Sequence, residues 1–255
     1  MKTSALCVGA LLTALSLAGC SGGDDVYVRD DDGTTQSSAS LECAIAPGDD
    51  VCSRTFASVP PAEHARVVAT LQAIYDFAWI ADAALAEIEG ACQAIVAETS
   101  HQMPYLDPNA TRETRLGITC QAASDAIMAG GPSALQIDVF PAVCTASTPR
   151  ACAESPVACD VSQVTVVAAP NASPTAVTLG TTLSRHLGAV ASLKSRLEGL
   201  AKLTGQIAGS SDAIALLPGR CVVSTTAIAV QSSSRVSAVA KAASLVTAAA
   251  SPTSH

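Results

Sequence analysis

The sequence predicts a mainly α protein, in which antiparallel helical hairpins form a bundle that carries a small, disulfide-linked β-hairpin insertion. Two observations support this prediction. Over long stretches, apolar residues recur at alternating steps of four and three, which is the period of one helix face. Between these stretches, residues 132–171 contain five Pro, three Cys and two alternating apolar segments, which is typical of paired strands.

The first helix is expected over residues 62–99. Pro61 fits its first turn, where a missing N–H costs nothing, and Glu63 favours the positive end of the helix dipole. Its apolar stripe consists of Val67, Leu71, Ile74, Ala78, Ala81, Leu85, Ile88, Cys92 and Ile95. A helix of this extent would be about 57 Å long.

A second, shorter helix is expected over residues 109–129, where one apolar stripe ends at a Gly-Gly-Pro sequence. The stripe consists of Leu116, Cys120, Ala123 and Ile127. The connector 101–108 is short, so we expect the first two helices to be antiparallel neighbours. Cys92 and Cys120 are equally far from residue 106, which places them at one level of this hairpin. The spacing therefore predicts a Cys92–Cys120 disulfide.

The β-hairpin is expected at about residues 134–168. Its alternating apolar residues are Leu135, Ile137 and Val139, followed by Val164, Val166 and Ala168. Pairing Leu135 with Ala168 in an antiparallel register places all six on one face. The same register sets Cys144 opposite Cys159, which predicts a second disulfide that closes the neck of the hairpin loop.

Helical periodicity returns over residues 174–208 and again over residues 221–249. The stripe of the third helix consists of Leu179, Leu183, His186, Val190, Leu193, Leu197, Leu200, Thr204 and Ile207. Small residues in the last helix permit close helix approach, although its Ser and Thr residues lower its intrinsic propensity. Breaks at Gly209 and at Pro218-Gly219 separate these two helices.

The N-terminal residues have the pattern of an export signal. Lys2 precedes an apolar run over residues 5–18, which ends at Leu17-Ala18-Gly19-Cys20 and is too short to span a bilayer permanently. This arrangement resembles the signal peptide and lipobox of bacterial lipoproteins. The resemblance implies that residues 1–19 are removed and that Cys20 is diacylated through its sulfur, often with a further acyl chain on its amine. Two or three acyl chains suffice for stable attachment to a membrane.

Residues 20–40 are expected to be a lipidated and disordered tether, because they are acidic, polar and rich in Gly and Ser. Residues 41–255 form a single α-rich domain in this interpretation. Ser21 follows the lipidated position, and the resemblance to lipoproteins implies that a residue other than Asp there favours sorting to the outer membrane. The expected location is therefore the bacterial cell envelope, at the periplasmic face or the cell surface.

Cysteine usage agrees with export. Cys7 leaves with the signal peptide and Cys20 carries the lipid, so an even number of cysteines remains, which predicts four disulfides in an oxidising compartment. These are Cys43, Cys52, Cys92, Cys120, Cys144, Cys152, Cys159 and Cys221. After the two predicted pairs, Cys43, Cys52, Cys152 and Cys221 allow three connectivities, among which the sequence does not choose. A zinc site is disfavoured because the chain has no C-x-x-C pair and its four His are scattered.

Residues that could support chemistry are few. The common hydrolase, nucleotide and metalloprotease signatures are absent from the sequence. His186 lies on an apolar stripe, where it would be either a tuned base or a hydrogen-bonded boundary residue, and we favour the second interpretation. Tyr75, Phe77 and Trp79 would be either an anchor for a partner or the packing of a helix covered on two sides. We favour packing.

These observations predict a lipid-anchored envelope protein with a structural or protein-interaction role and no catalytic activity, cofactor or metal. Its expected partners are the membrane, through the lipid anchor, and another envelope protein. A net charge of -8 disfavours nucleic acid as a partner. The alternative is a module that binds a small or lipidic ligand between its helices, which would need an apolar cavity of a few hundred cubic ångströms.

Overall fold

A computed structural model describes residues 51, 54–140, 144–146, 157–159, 163–209 and 211–251. The fold is mainly α with a small antiparallel sheet, as the sequence predicts. The helices are α1 (Pro61–Glu98), α2 (Arg112–Ala129), α3 (Pro174–Gly209), α4 (Ser211–Ile214) and α5 (Gly219–Ala250). A 3-10 turn (Pro132–Ala134) precedes strand β1 (Leu135–Phe140), which is followed by β2 (Cys144–Ala146), β3 (Val157–Cys159) and β4 (Gln163–Ala168).

Helix α1 is the central element of the bundle and contacts α2, α3 and α5. Pro61 occupies its first turn, and all nine residues of the predicted stripe are buried. Further buried residues, such as Phe77 and Ala84, widen this stripe, because three neighbouring helices cover α1. The helix ends at Glu98 with Thr99 as its C-cap, and Ser100 then takes a left-handed conformation with φ of 54°.

Helices α1 and α2 run in the same direction, which differs from the expected antiparallel hairpin. Arg112, the first residue of α2, contacts Asp82 in the middle of α1, with 3.0 Å between Nη1 and Oδ1. Further along both helices, Cys92 and Cys120 form a disulfide with 5.0 Å between their Cα atoms. In an antiparallel hairpin with this disulfide, Asp82 and Arg112 would lie about 27 Å apart along the axis.

The connector between α1 and α2 makes this parallel arrangement possible. It must return about 24 Å along α1, from Glu98 to the level of Asp82. Its thirteen residues, 99–111, reach about 43 Å when extended, so the return is easily spanned. Arg115 holds the end of the connector, because its Nη1 donates to the carbonyl of Ala110 at 3.1 Å. Thr111 then caps α2 by accepting from the Thr114 N–H.

The strands form a β-ribbon that lies along α3. Leu135 pairs with Ala168, and the register continues to Phe140 opposite Gln163, which confirms the predicted pairing. Strands β2 and β3 keep the same register, with Cys144 opposite Cys159. All four strands contact α3. Gly180 of α3 permits this close approach, because a Cβ atom there would lie 3.2 Å from Leu135 Cδ2.

Helix α3 runs antiparallel to α1, whereas α5 runs parallel to α1. His186 near the start of α3 contacts Glu98 at the end of α1, and Asp212 of α4 contacts Arg66 near the start of α1. Cys221 near the start of α5 belongs to one buried cluster with Val67 and Val68, and Arg235 further along α5 lies 3.0 Å from Asp82, between Nη1 and Oδ1. The bundle therefore contains three long helices of one direction and one of the opposite direction.

Two clusters of buried residues form the core. The large core cluster joins α1, α2, α3, α5 and the ribbon, and it includes Leu85, Ile88, Ile95, Leu116, Ile127, Leu183, Leu193, Val239 and Val246. The small core cluster joins residues before α1 to α1, α4 and α5, and it consists of Val51, Phe56, Val59, Val67, Val68, Leu71, Tyr75, Ala213, Leu217 and Cys221. Burial of each large apolar side chain stabilises the fold by roughly 1.5 to 3 kcal/mol.

Candidate functional site

The structure tests part of the predicted disulfide set. Cys92 and Cys120 are bonded, and both side chains are buried in the large core cluster. Cys221 is also disulfide-bonded. Cys144 and Cys159 are strand partners, and their bond stays a prediction because the structure does not describe their side chains. Cys20, Cys43, Cys52 and Cys152 lie outside the described residues.

His186 and Glu98 form a hydrogen-bonded pair between α3 and α1. The Nε2 atom of His186 lies 2.8 Å from Oε1 of Glu98, and Arg185 Nη1 lies 3.5 Å from Oε2. The hydroxyl of Thr182 also bonds to this carboxylate. The hydrogen bond to His186 is the main reason that the pKa of Glu98 lies below its usual value, and the Thr182 bond and the Arg185 charge act in the same direction.

This pair has one feature of an acid–base site, because a carboxylate orients the imidazole ring. A nucleophile would have to face the ring as well. The hydroxyls of Thr181 and Ser184, which are close to His186 in sequence, donate to backbone carbonyls of their own helix, those of Val177 and Thr181. His186 is therefore a hydrogen-bonded boundary residue, as favoured from the sequence, and it ties the last turn of α1 to α3.

A second polar cluster joins the three parallel helices. Asp82 of α1 accepts a hydrogen bond from Arg112 of α2 and forms an ion pair with Arg235 of α5, each with 3.0 Å between Nη1 and Oδ1. Arg235 Nε also lies 3.5 Å from Glu113 Oε1, which is an ion-pair distance without hydrogen-bond geometry. Two positive and two negative side chains thus balance at one level of the bundle. The sequence pattern does not predict this cluster.

The three aromatic residues of α1 have different surroundings. Tyr75 and Phe77 are buried, which confirms the packing interpretation for these two residues. Trp79 is 59% exposed, so packing does not account for it. It lies opposite the centre of the apolar stripe, on a solvent-facing surface that continues along the helix with small residues. We call this surface the α1 outer face, and it consists of Trp79, Ala83, Ala86, Gly90 and Ala97.

A shallow groove of about 370 Å³ lies on the outside of α2. The connector covers one side of it with Pro104, and α2 supplies Gly117, Ile118, Gln121, Ala122 and Asp125. This groove lies on the outer surface of α2. It is therefore not the cavity between helices that the alternative function, binding of a small or lipidic ligand inside the bundle, would need.

Metal-binding and membrane-spanning features can be assessed for the part of the chain that the structure describes. There, no three His, Cys, Asp or Glu residues come together in a group that could hold a metal ion. Within the same residues, no helix has both the length and the apolar character required to cross a membrane.

Comparisons with protein-family models, with curated proteins and with solved structures find no match for this chain. The functional interpretation therefore depends on the chain's own residues.

Proposed function

We propose that the protein is a lipid-anchored component of the bacterial envelope whose helical domain binds another envelope protein. The observation that carries this proposal is Leu17-Ala18-Gly19-Cys20 at the end of a short apolar run that follows Lys2. A bilayer-anchored Cys20 and a polar tether would hold the folded domain close to the membrane while leaving it free to meet a partner.

The α1 outer face supports the interaction role. Exposed Trp is enriched among residues that dominate binding energy at protein interfaces, and small neighbouring side chains let a partner approach the helix closely. Trp79 lies at one end of a row of Ala and Gly residues on this face. A helix or loop of a partner protein would bury the indole and cover the small residues beside it.

Replacement of the lipidated residue tests the anchor. Cys20→Ser should abolish metabolic labelling by a fatty acid and move the protein from the membrane to the soluble fraction. Cys7→Ser is the matched control, since Cys7 lies in the segment expected to be removed. This control should keep both labelling and membrane attachment. Labelling that survives in Cys20→Ser would refute the anchor.

Sorting gives an independent test of location. In lipoproteins, Asp after the lipidated Cys retains the protein at the inner membrane, so Ser21→Asp should move this chain from the outer-membrane to the inner-membrane fraction. An unchanged distribution would contradict the proposed outer-membrane location and leave the lipid anchor intact.

A photo-crosslinking residue at position 79 tests the interaction role in intact cells. We expect a discrete adduct with one envelope protein, and we expect its yield to fall when Ala86→Glu places a charge beside Trp79 on the same face. The same photo-crosslinker at exposed Gln121 of α2 is the control. An identical adduct pattern from positions 79 and 121 would show that the α1 outer face is not the binding surface.

A further inference from the structure

The small core cluster joins the residues before α1 to the last long helix. Val51 and Cys221 both belong to this cluster, and both are buried. Val51 is fixed in place by a hydrogen bond from its backbone N–H to the side-chain oxygen of Gln72 on α1, at 3.2 Å. The N-terminal segment therefore reaches the bundle beside the first half of α1.

Cys221 lies at almost the same level of the bundle. Arg235 of α5 contacts Asp82 of α1, and the two helices run parallel. Cys221 precedes Arg235 by as many residues as Val68 precedes Asp82, so Cys221 lies near the level of Val68. Gln72, which binds Val51, is one helical turn further along α1, about 6 Å away.

We propose that Cys221 forms its disulfide with Cys52. Cys221 is bonded, and Cys92 and Cys120 are bonded to each other, so neither can be its partner. Cys52 follows Val51 directly, and consecutive Cα atoms are about 3.8 Å apart. A disulfide needs Cα atoms within about 7 Å of each other. Val51 and Cys221 belong to the same buried cluster, which favours such a distance between Cys221 and the residue that follows Val51.

Formation of this bond is a two-electron oxidation. The thiols of Cys52 and Cys221 lose two protons and two electrons as the S–S bond forms. The disulfide of a thiol oxidoreductase in the compartment outside the cytoplasm accepts these electrons and protons and is reduced to two thiols. The assignment also leaves Cys43 and Cys152 to each other, provided that Cys144 and Cys159 pair as their register predicts.

The bond would determine where the tether joins the folded domain. It would hold the segment before α1 against the first turn of α5, so the small core cluster could not open at its N-terminal side. A mechanical force on the proposed lipid anchor would then be transmitted to α5 through a covalent bond. This consequence rests on the proposed function, whereas the bond itself requires only an oxidising compartment.

Peptide mapping of the full chain under non-reducing conditions tests the pairing. Trypsin alone is insufficient, because no Lys or Arg separates Cys43 from Cys52. A second protease that cuts before Asp separates them at Asp49 and Asp50. We expect peptide 50–54 to be joined to peptide 221–235. A bond from peptide 221–235 to any other cysteine would overturn the assignment, whereas eight free thiols would refute the proposed export instead.

Single substitutions provide a second measurement of the pairing. Cys221→Ser should expose one new thiol to alkylation, at Cys52, and Cys52→Ser should expose one at Cys221. Cys43→Ser is the matched control on the same segment and should leave Cys221 oxidised. Release of the Cys221 thiol by Cys43→Ser, with no release by Cys52→Ser, would assign the bond to Cys43 and refute the proposal.

Discussion

Arg112 Nη1 lies 3.0 Å from Asp82 Oδ1, and this ion pair joins the first residue of α2 to the middle of α1. Asp82 also forms an ion pair with Arg235 of α5. The Cys92–Cys120 disulfide lies further along in the same direction on both α1 and α2. A polar contact and a covalent bond thus fix the two helices side by side and parallel.

A double-mutant cycle on Asp82→Asn and Arg112→Gln tests whether this ion pair couples α1 to α2. Both side chains are partly exposed, so we expect a coupling energy of about 0.5 to 1 kcal/mol in urea unfolding. A cycle of Arg112→Gln with Asp125→Asn, an exposed carboxylate elsewhere on α2, should show no coupling. Zero coupling in the first cycle would show that the Asp82–Arg112 ion pair makes no net contribution to stability.

Core truncations should show where the stability of the fold resides. Leu85 and Leu193 are fully buried in the large core cluster. Leu85→Ala or Leu193→Ala should therefore lower the free energy of unfolding by about 2 to 5 kcal/mol in chemical denaturation. Val223 on α5 is 71% exposed, and Val223→Ala should change it by less than about 0.5 kcal/mol. Equal losses at all three positions would refute this assignment of the core.

Gly180 should be the position at which the ribbon is most sensitive to added volume. A Cβ atom there would lie 3.2 Å from Leu135 Cδ2 and 3.6 Å from Val166 Cγ1. Gly180→Leu should displace the ribbon and cost about 1 to 3 kcal/mol. Gly90→Leu is the matched control, since Gly90 is exposed and a Cβ atom there would have no neighbour within 4 Å.

The control should gain about 0.5 to 1 kcal/mol, because Leu has a higher helix propensity than Gly. Hydrogen exchange should locate the damage of Gly180→Leu in β1 and β4. If both substitutions have the same effect, the ribbon does not pack on α3 as described.

The Glu98–His186 pair predicts a dependence of stability on pH. The pKa of Glu98 is lower in the folded protein, chiefly through its hydrogen bond to His186. Its stabilising contribution is therefore present above the unfolded-state pKa, about 4.3 for Glu, and is lost as the pH falls through the folded-state value. The melting temperature of wild type should exceed that of Glu98→Gln at pH 6.

This difference should shrink as the pH falls below about 4, because protonated Glu98 then resembles Gln. A difference that stays constant from pH 6 to pH 3 would show that the carboxylate charge does not contribute. Glu89→Gln, on a different face of α1, is the control, and its melting-temperature difference from wild type should not follow the same pH dependence.

Local pattern was sufficient to predict the helices and the ribbon. The stripe of α1 places nine residues on one helix face, and the alternation in β1 and β4 excludes a one-residue slip of the register, which would move the apolar residues of one strand to the opposite face. These features depend on neighbouring residues, whose arrangement is determined by backbone geometry alone.

The direction of α2 could not be predicted in the same way. A thirteen-residue connector can either turn back at once or return along the helix, and its sequence contains no signal that distinguishes the two. The Cys92–Cys120 bond is compatible with both arrangements, so the predicted pair is present although the expected hairpin is not. The decisive contact, between Asp82 and Arg112, is tertiary.

The candidate site was predictable only in part. The place of His186 on an apolar stripe predicts a boundary residue, whereas nothing in the sequence indicates its partner Glu98, because the two are far apart in the chain. The packing expected for Tyr75, Phe77 and Trp79 holds for the first two residues and not for Trp79. The coverage of α1 by its neighbours, which the sequence does not specify, separates a buried Tyr75 from an exposed Trp79.

The last helix also sets the order in which this protein can fold. Helix α5 contributes Cys221 to one core cluster and Val239 and Val246 to the other. Its partners on α1 lie more than a hundred residues earlier in the chain, so closing the intervening loop slows the formation of these particular contacts. Because synthesis starts at the N-terminus, α1 exposes part of its apolar surface until α5 has been made and packs against it. A chain truncated before α5 should therefore aggregate or require a chaperone, rather than persist as a smaller folded domain.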